Sequence, residues 1–285
     1  MVKRFKVWTY NEGEQPLVHD GPLNHVYAIE GQFIDEIERD KSPFRASHPE
    51  KAHVFFMPFS IFNIVKYVYM PITTQTDYYR DRLQRIVTDY IKIVADKHPY
   101  WNRSSGADHF MLSCHDWAPD VSDDNPHLFK NFMKVLCNAN TSEGFRPTRD
   151  VSIPEIYLEF GTLGPPHQGQ PANNRPILAF FGGREHGQIR KFLLKQWKDK
   201  DSDVQEYLPK GPSYTKIMGQ TNYYLPFSDV LNWSRFSIQI SVERIPEIKT
   251  ILQGIPYDKP AKPFDVIHMV LHSVWLRRLN FALPT

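Results

Sequence analysis

The segment Gly106 to Asp120 limits what this chain can fold into more than any other stretch. Phe110, Met111 and Leu112 form a short apolar run. Asp108 and His109 stand before it, His115 and Asp116 after it, and Trp117 and Pro119 then turn the chain. An apolar run bounded by turn signals reads as a buried strand. In an open α/β sheet, ligands bind in the crevice outside the carboxyl ends of the strands, and His115 and Asp116 sit at that end. Two readings are open. The His and Asp are hydrogen-bonded within a polar strand terminus, or they face a ligand and act on it.

The rest of the chain repeats the pattern. Phe5 to Tyr10 alternates as a first strand. Tyr27 to Arg39 carries Ile29, Phe33 and Ile37 at helical spacing and stops at Ser42-Pro43. His53 to Met57 is continuously apolar, as a strand buried on both faces is. Asp77 to Lys97 holds Leu83, Ile86, Val87, Tyr90, Ile91 and Val94 on one helical stripe. Phe110 to Cys114 is the next strand, Pro126 to Lys134 a short helix, and Val135 to Cys137 a strand. This alternation predicts a parallel sheet covered on both faces, with right-handed crossovers. Gly161 to Pro176 is rich in Gly and Pro and reads as a linker. Beyond it the pattern restarts: Ile177 to Phe181 and Val204 to Tyr207 as strands, Gln188 to Trp197 and Pro263 to Arg278 as helices. The expected organisation is an N-terminal α/β domain over 1–160, a linker over 161–176 and a C-terminal α/β domain over 177–285.

Composition excludes some classes of function. A net charge of +2 on 285 residues, with no basic block, gives no field for nucleic acid. No apolar stretch is long enough to span a bilayer. The first residues, Met1 to Lys6, lead into no apolar core of a signal peptide. The two cysteines, Cys114 and Cys137, each close a strand-like run. They form a disulfide if those strands are neighbours, and otherwise remain buried thiols. Sequons occur at Asn102, Asn140 and Asn232.

The string Gly106-Ala-Asp-His-Phe-Met-Leu-Ser-Cys-His-Asp-Trp117 resembles a segment of the plant exostosin-like glycosyltransferases, glycosyltransferase family 47. Further strings match in the same order, among them Leu17-Val-His-Asp-Gly-Pro22, Ala52-His-Val-Phe-Phe-Met-Pro-Phe59, Tyr100-Trp-Asn-Arg-Ser104 and Arg175-Pro-Ile-Leu-Ala-Phe-Phe181. The resemblance implies a GT-B-like arrangement: two Rossmann-like domains facing a cleft. It implies transfer of a sugar from a nucleotide-sugar donor to a polysaccharide or glycan acceptor, with inversion, in the Golgi lumen or at its membrane. It also admits a hetero-complex with other glycosyltransferases. One departure stands out. In the family, the strand near Tyr223 runs into a Pro-Ser-Gly turn, a helix and another strand before a Pro-Phe-Ser-Asp segment. Here Tyr224-Leu225 passes directly into Pro226-Phe-Ser-Asp229. The second domain is therefore expected to be incomplete. The alternative function is that of an inactive splice form or paralogue, serving as a glycan-binding or complex-forming subunit.

The chemistry assigns candidate residues. A general base must reach the acceptor hydroxyl, and Asp116, His109 and His115 are the candidates, with Asp116 first. Phe181-Gly-Gly-Arg184 follows a strand and precedes a helix, where backbone N–H groups meet an anion. Gly182, Gly183, Arg184 and Arg190, with Lys210 and Ser213 after the next strand, are the candidate donor-binding residues. An ordinary strand-to-helix turn with surface arginines is the other reading. Glu143 and Asp150 sit in turn-like segments, where capping competes with a place beside the acceptor. No HExxH or similar metal spacing is found among the histidines, so neither metal nor cofactor is expected.

Overall fold

The computed structural model describes residues 5–156, 158, 161, 178–182, 185, 187–207, 227, 230, 232, 237–255 and 268–271. The chain divides into two compact units, Met1–Leu163 with Tyr224–Phe227, and Gly164–Tyr223 with Ser228–Thr285.

In the first unit, β1 (Val7–Thr9), β2 (Val54–Phe56), β3 (His109–Ser113), β4 (Met133–Leu136) and β5 (Val151–Ser152) form one parallel sheet in that order. A fifth, single-residue pairing changes the meaning of this order. Val7 bridges Arg45 in parallel, its N–H donating to the Phe44 carbonyl and its own carbonyl accepting from Ala46. The chain thus leaves β1, crosses by α1 (Ala28–Glu38) to the 44–46 segment on one side, then returns to β2 on the other. From β2 it proceeds by α3 (Asp81–Lys97) to β3. The strand order reverses at β1, which makes this a doubly wound, Rossmann-like sheet.

The side chains follow the reversal. Val7, Phe56, Phe110 and Leu112 face α1 through Ile34 and Ile37. Phe55, Met57 and Met111, one residue out of step, face α3 through Leu83, Val87, Ile91 and Val94. Crossovers in opposite directions on opposite faces share one hand, as expected for right-handed units.

Two expectations are corrected. Pro126 to Lys134 forms turns, and β4 already begins at Met133. The cause lies downstream. The Arg146 guanidinium takes the carbonyls of Phe129, Lys130 and Phe132, and Arg149 takes that of Asn131. Those carbonyls are then not available to a helical ladder. Within the expected helix Pro263 to Arg278, residues His268–Leu271 form β9, paired in parallel with β8 (Ser237–Ile240); the rest of that helix lies outside the described residues. Two short helices also went unread: α2 (Ile61–Ile64), which runs into a wide turn at Val65–Tyr69, and α4 (Pro99–Ser104).

In the second unit β6 (Ala179–Gly182) pairs in parallel with β7 (Val204–Tyr207). Between them runs α5 (Gly187–Trp197). Leu193 and Leu194 join Ile245, Ile248 and Leu252, the last two on α6 (Ile248–Gln253), in a separate core. The expected linker lies outside the described residues except for Gly161, as does the Tyr223 to Asp229 junction except for Phe227.

Candidate functional site

The carboxyl ends of β2, β3 and β4 bring together residues far apart in sequence. Ser60, one turn past β2, caps α2 by accepting from Asn63 N–H. Ser113 ends β3, and its hydroxyl accepts from His115 N–H at 3.1 Å. Both hydroxyls donate to one carboxylate, Glu30, in the first turn of α1. Glu30 is 0% exposed, and it also accepts from the backbone N–H groups of Phe62 and Cys114. Burial raises its pKa from 4.5 to about 7, against the pull of these four hydrogen bonds.

Past Ser113 the chain makes a tight turn. His115 Nδ1 accepts from Trp117 N–H at 3.1 Å, so in the neutral ring the proton sits on Nε2. The His115 ring lies 4.9 Å from that of Tyr27. The Tyr27 hydroxyl points to Asp116 Oδ2 at 3.4 Å, and Asn138 Nδ2 donates to the Asp116 carbonyl at 3.2 Å. Asp116 itself is half-buried. Cys114 and Cys137 are joined as a disulfide, which ties the end of β3 to the end of β4. The pairing left open by the sequence is thereby decided. Closing a loop of this length stabilises by about 3 kcal/mol in the chain-entropy account.

His109 is elsewhere. It begins β3, at the amino end, and it is 0% exposed. Its Nδ1 meets Asp108 Oδ1 at 2.7 Å and its Nε2 meets the Tyr10 hydroxyl at 2.7 Å. Phe55 stacks on it at 4.8 Å and Trp101 packs edge-on at 5.0 Å. Burial pulls its pKa down from 6.5 to about 4, so the ring is neutral. The candidate base His109 therefore lies at the opposite end of β3 from Asp116, with the four strand residues Phe110 to Ser113 between them, and it is held as a core hydrogen-bonding group.

The other turn residues serve the fold. Glu143 accepts from Asn138 at 2.6 Å. Asp150 accepts from Lys134 N–H and from the backbone and guanidinium of Arg146. Lys134 is a buried lysine that no local pattern singles out. Its ammonium donates to the carbonyls of Pro119 and Gly144 and to Ser122, and burial lowers its pKa. Of the sequons, Asn102 and Asn232 are exposed. Asn140 is 4% exposed, its Oδ1 accepting from Ser142 N–H.

In the second unit Gly182 ends β6 opposite Tyr207, and Arg190 is buried on α5. Gly183, Arg184, Lys210 and Ser213 lie outside the described residues. The chain also carries two overlapping Asp-x-Asp triplets, Asp199-Lys200-Asp201 and Asp201-Ser202-Asp203. The carboxylates of the second are engaged by Lys249, at 2.7 Å from Asp201 and 3.0 Å from Asp203.

Comparison with known proteins places this arrangement. The exostosin GT47 domain matches residues 1–220. The Arabidopsis thaliana protein "Probable glycosyltransferase At5g03795" is 45% identical across 98% of this chain, which spans 63% of that relative's length. The match extends over 332 residues against 285 here, so the relative carries at least 47 residues within the matched span that this chain lacks. More distant are an Oryza sativa protein, "Probable glucuronosyltransferase Os01g0926400", 23% identical over 88% of this chain and 74% of its own, and the Arabidopsis thaliana "Probable beta-1,4-xylosyltransferase IRX10L", 21% identical over 96% and 78%. A Rossmann-like sheet bearing this site and a match over most of its length establish that the chain belongs to the exostosin GT47 glycosyltransferase family.

Proposed function

We propose that this chain is built as a GT-B-type, inverting glycosyltransferase. With the segment absent at the Leu225 junction restored, it would take a sugar from a nucleotide-sugar donor and give it to a glycan acceptor, a plant cell-wall polysaccharide or a protein-linked glycan. The observation that carries this reading is Asp116: a half-buried carboxylate at the carboxyl end of β3, in a chain of this family. In the proposed step Asp116 takes the proton of the acceptor hydroxyl. The acceptor oxygen attacks the anomeric carbon from the face opposite the diphosphate, the bond to the phosphate oxygen breaks, and the nucleoside diphosphate leaves. His115, its proton on Nε2, serves as a hydrogen-bond donor beside the base.

On the donor side the sequence between β6 and α5 carries glycines and an arginine, and Gly182, Gly183, Arg184, Arg190, Lys210 and Ser213 are the proposed diphosphate partners. These cations neutralise the leaving group without a metal, and Lys249 already holds Asp201 and Asp203. A Golgi location, in the lumen or at its membrane, accords with the Cys114–Cys137 disulfide, which needs an oxidising compartment. Assembly with other glycosyltransferases belongs to the same proposal.

The residues missing relative to the Arabidopsis protein favour a second reading, a glycan-binding or complex-forming subunit. We assign the gap to the Leu225 junction. Titration of UDP and GDP into this chain, and into a version with the family segment restored after Leu225, separates the two. The expected result is diphosphate binding and sugar transfer by the restored version alone. Transfer by the shortened chain overturns the subunit reading, and transfer by neither overturns the enzyme.

A further inference from the structure

Glu30, like Asp150, is a buried carboxylate of the first unit that the proposed transfer does not use. It joins three segments: its own helix α1, the Ser60–Phe62 turn after β2, and the Ser113–Cys114 end of β3. All four of its partners are donors. The two hydroxyls are themselves committed as acceptors, Ser60 to Asn63 N–H and Ser113 to His115 N–H. A carboxylate has about four acceptor sites and no proton to give, and so satisfies all four donors at once. A carboxylic acid at the same place presents a donor to donors. One hydroxyl must then rotate, and Ser113 is the hydroxyl on which the His115 backbone rests.

We propose that Glu30 is a positioning residue for the Asp116 turn, setting through Ser113 the placement of His115 and Asp116, and through Ser60 and Phe62 the start of α2. It is not a catalytic residue, because it is sealed from solvent and substrate. This inference rests on the reading of Asp116 as the base. Its consequence is that the turn changes geometry when Glu30 takes up a proton, near pH 7. The other titratable groups around it are His115 and Asp116 on the turn itself, Tyr27 on the approach to α1, and Asp20, which Asn63 holds at 3.3 Å.

The test follows the His115 ring by NMR in protein with labelled histidine, the resonance assigned by His115→Gln. In the wild-type chain the His115 signal is expected to show an inflection near pH 7 beyond its own titration, while exposed His48 shows none. Glu30→Gln should abolish the added inflection and leave the His48 curve unchanged. If His115 titrates identically in both proteins, or if Glu30→Gln folds with the His115 signal unmoved, the proposal is overturned. Should Glu30→Gln fail to fold, Ser113→Ala, which cuts the same link at the other end, must remove the inflection. In the restored version Glu30→Gln should shift the acid limb of the kcat profile and leave KM for the donor unchanged. The NMR readout needs no sugar transfer. A failed transfer assay with the inflection present removes the functional reading and keeps the coupling, and the reverse removes only the coupling.

Discussion

The two ends of β3 carry the same kinds of residue and use them in opposite ways. At the amino end, Asp108 and His109 form a closed group with Tyr10, in which the imidazole has its proton on Nδ1, toward Asp108, and accepts at Nε2. At the carboxyl end, His115 accepts at Nδ1 and has its proton on Nε2, and Asp116 is half-buried beside Tyr27. Both histidines are more than nine-tenths buried, so burial alone does not distinguish them. The difference lies in what the ring is fastened to. His109 is fixed by side chains within the core, and His115 by the backbone of a turn, with the neighbouring carboxylate half-buried beside Tyr27. An acid–imidazole pair therefore becomes a site only where the strand ends in a turn and the fold supplies backbone donors to hold it.

The largest expected effect separates the ends by kind. Asp116→Asn in the restored, transferring version should lower kcat by roughly 10²–10⁴, the range for loss of a general base, with stability within about 0.5 kcal/mol of the parent. His109→Ala should do the converse: a loss of roughly 3 kcal/mol from the cavity and the stranded Tyr10 hydroxyl, with donor affinity unchanged. Product assays and urea denaturation of both variants check this. A rate loss from His109→Ala in protein shown to be folded would break the comparison.

The disulfide belongs to the carboxyl end alone. Replacing both cysteines, Cys114→Ser with Cys137→Ser, should cost about 3 kcal/mol by the loop-closure account. The loss should fall on the turn: hydrogen exchange of residues 113–117 and 137–140 should rise before that of the Tyr10–His109 group. Uniform acceleration across the sheet would show that the two ends unfold as one.

The ends should also answer pH with opposite signs. His109 has a folded pKa lowered from 6.5 to about 4, so its stabilisation is complete above pH 6.5 and is lost as pH falls toward 4. Glu30 has a folded pKa raised from 4.5 to about 7, so its contribution is complete below pH 4.5 and is lost as pH rises through 7. Each amounts to about 3 kcal/mol at 1.36 kcal/mol per pKa unit. The two nearly cancel between pH 4.5 and 6.5. Glu30→Gln should expose the His109 branch, so that the variant loses stability on acidification where the parent stays level. His109→Asn should expose the other branch and gain stability over the same window. Denaturant titrations at pH 4.5, 6 and 7.5 decide it.

Much of this was legible in the sequence, and what was not has a common cause. The unbroken apolar run before Pro58 gave β2, and the stripe from Leu83 to Val94 gave α3, because both are local patterns of burial. The false helix at Pro126 to Lys134 arose because Arg146, more than ten residues later, takes its carbonyls. Glu30 was missed for the same kind of reason. In sequence it is an acidic residue in the first turn of an amphipathic helix, a place that favours acids for the helix dipole alone. Its meaning comes from Ser60 and Ser113, which the folded sheet brings to it from 30 and 83 residues away. Asp116 could be picked out because its environment is adjacent in sequence: a strand end and a turn.

The smallest effect tests how closed the amino end is. Tyr10→Phe removes only the hydroxyl that His109 Nε2 meets at 2.7 Å, while the ring keeps its stacking with Phe55 at 5.8 Å. A single neutral hydrogen bond contributes about 1 kcal/mol net, and somewhat more when its partner is left buried and unsatisfied. Burial also raises the Tyr10 pKa far above its usual value, so the hydroxyl remains a donor throughout the working range. The expected loss is therefore about 1 kcal/mol and constant from pH 6.5 to 9, since neither Tyr10 nor His109 changes charge there. Toward pH 4 the loss should shrink, because a protonated His109 has no acceptor for the hydroxyl to serve. Urea midpoints at pH 4, 7 and 9 measure this directly. A loss that instead grows on acidification would mean that Tyr10 stabilises the charged ring, and the closed, neutral description of this end would have to be given up.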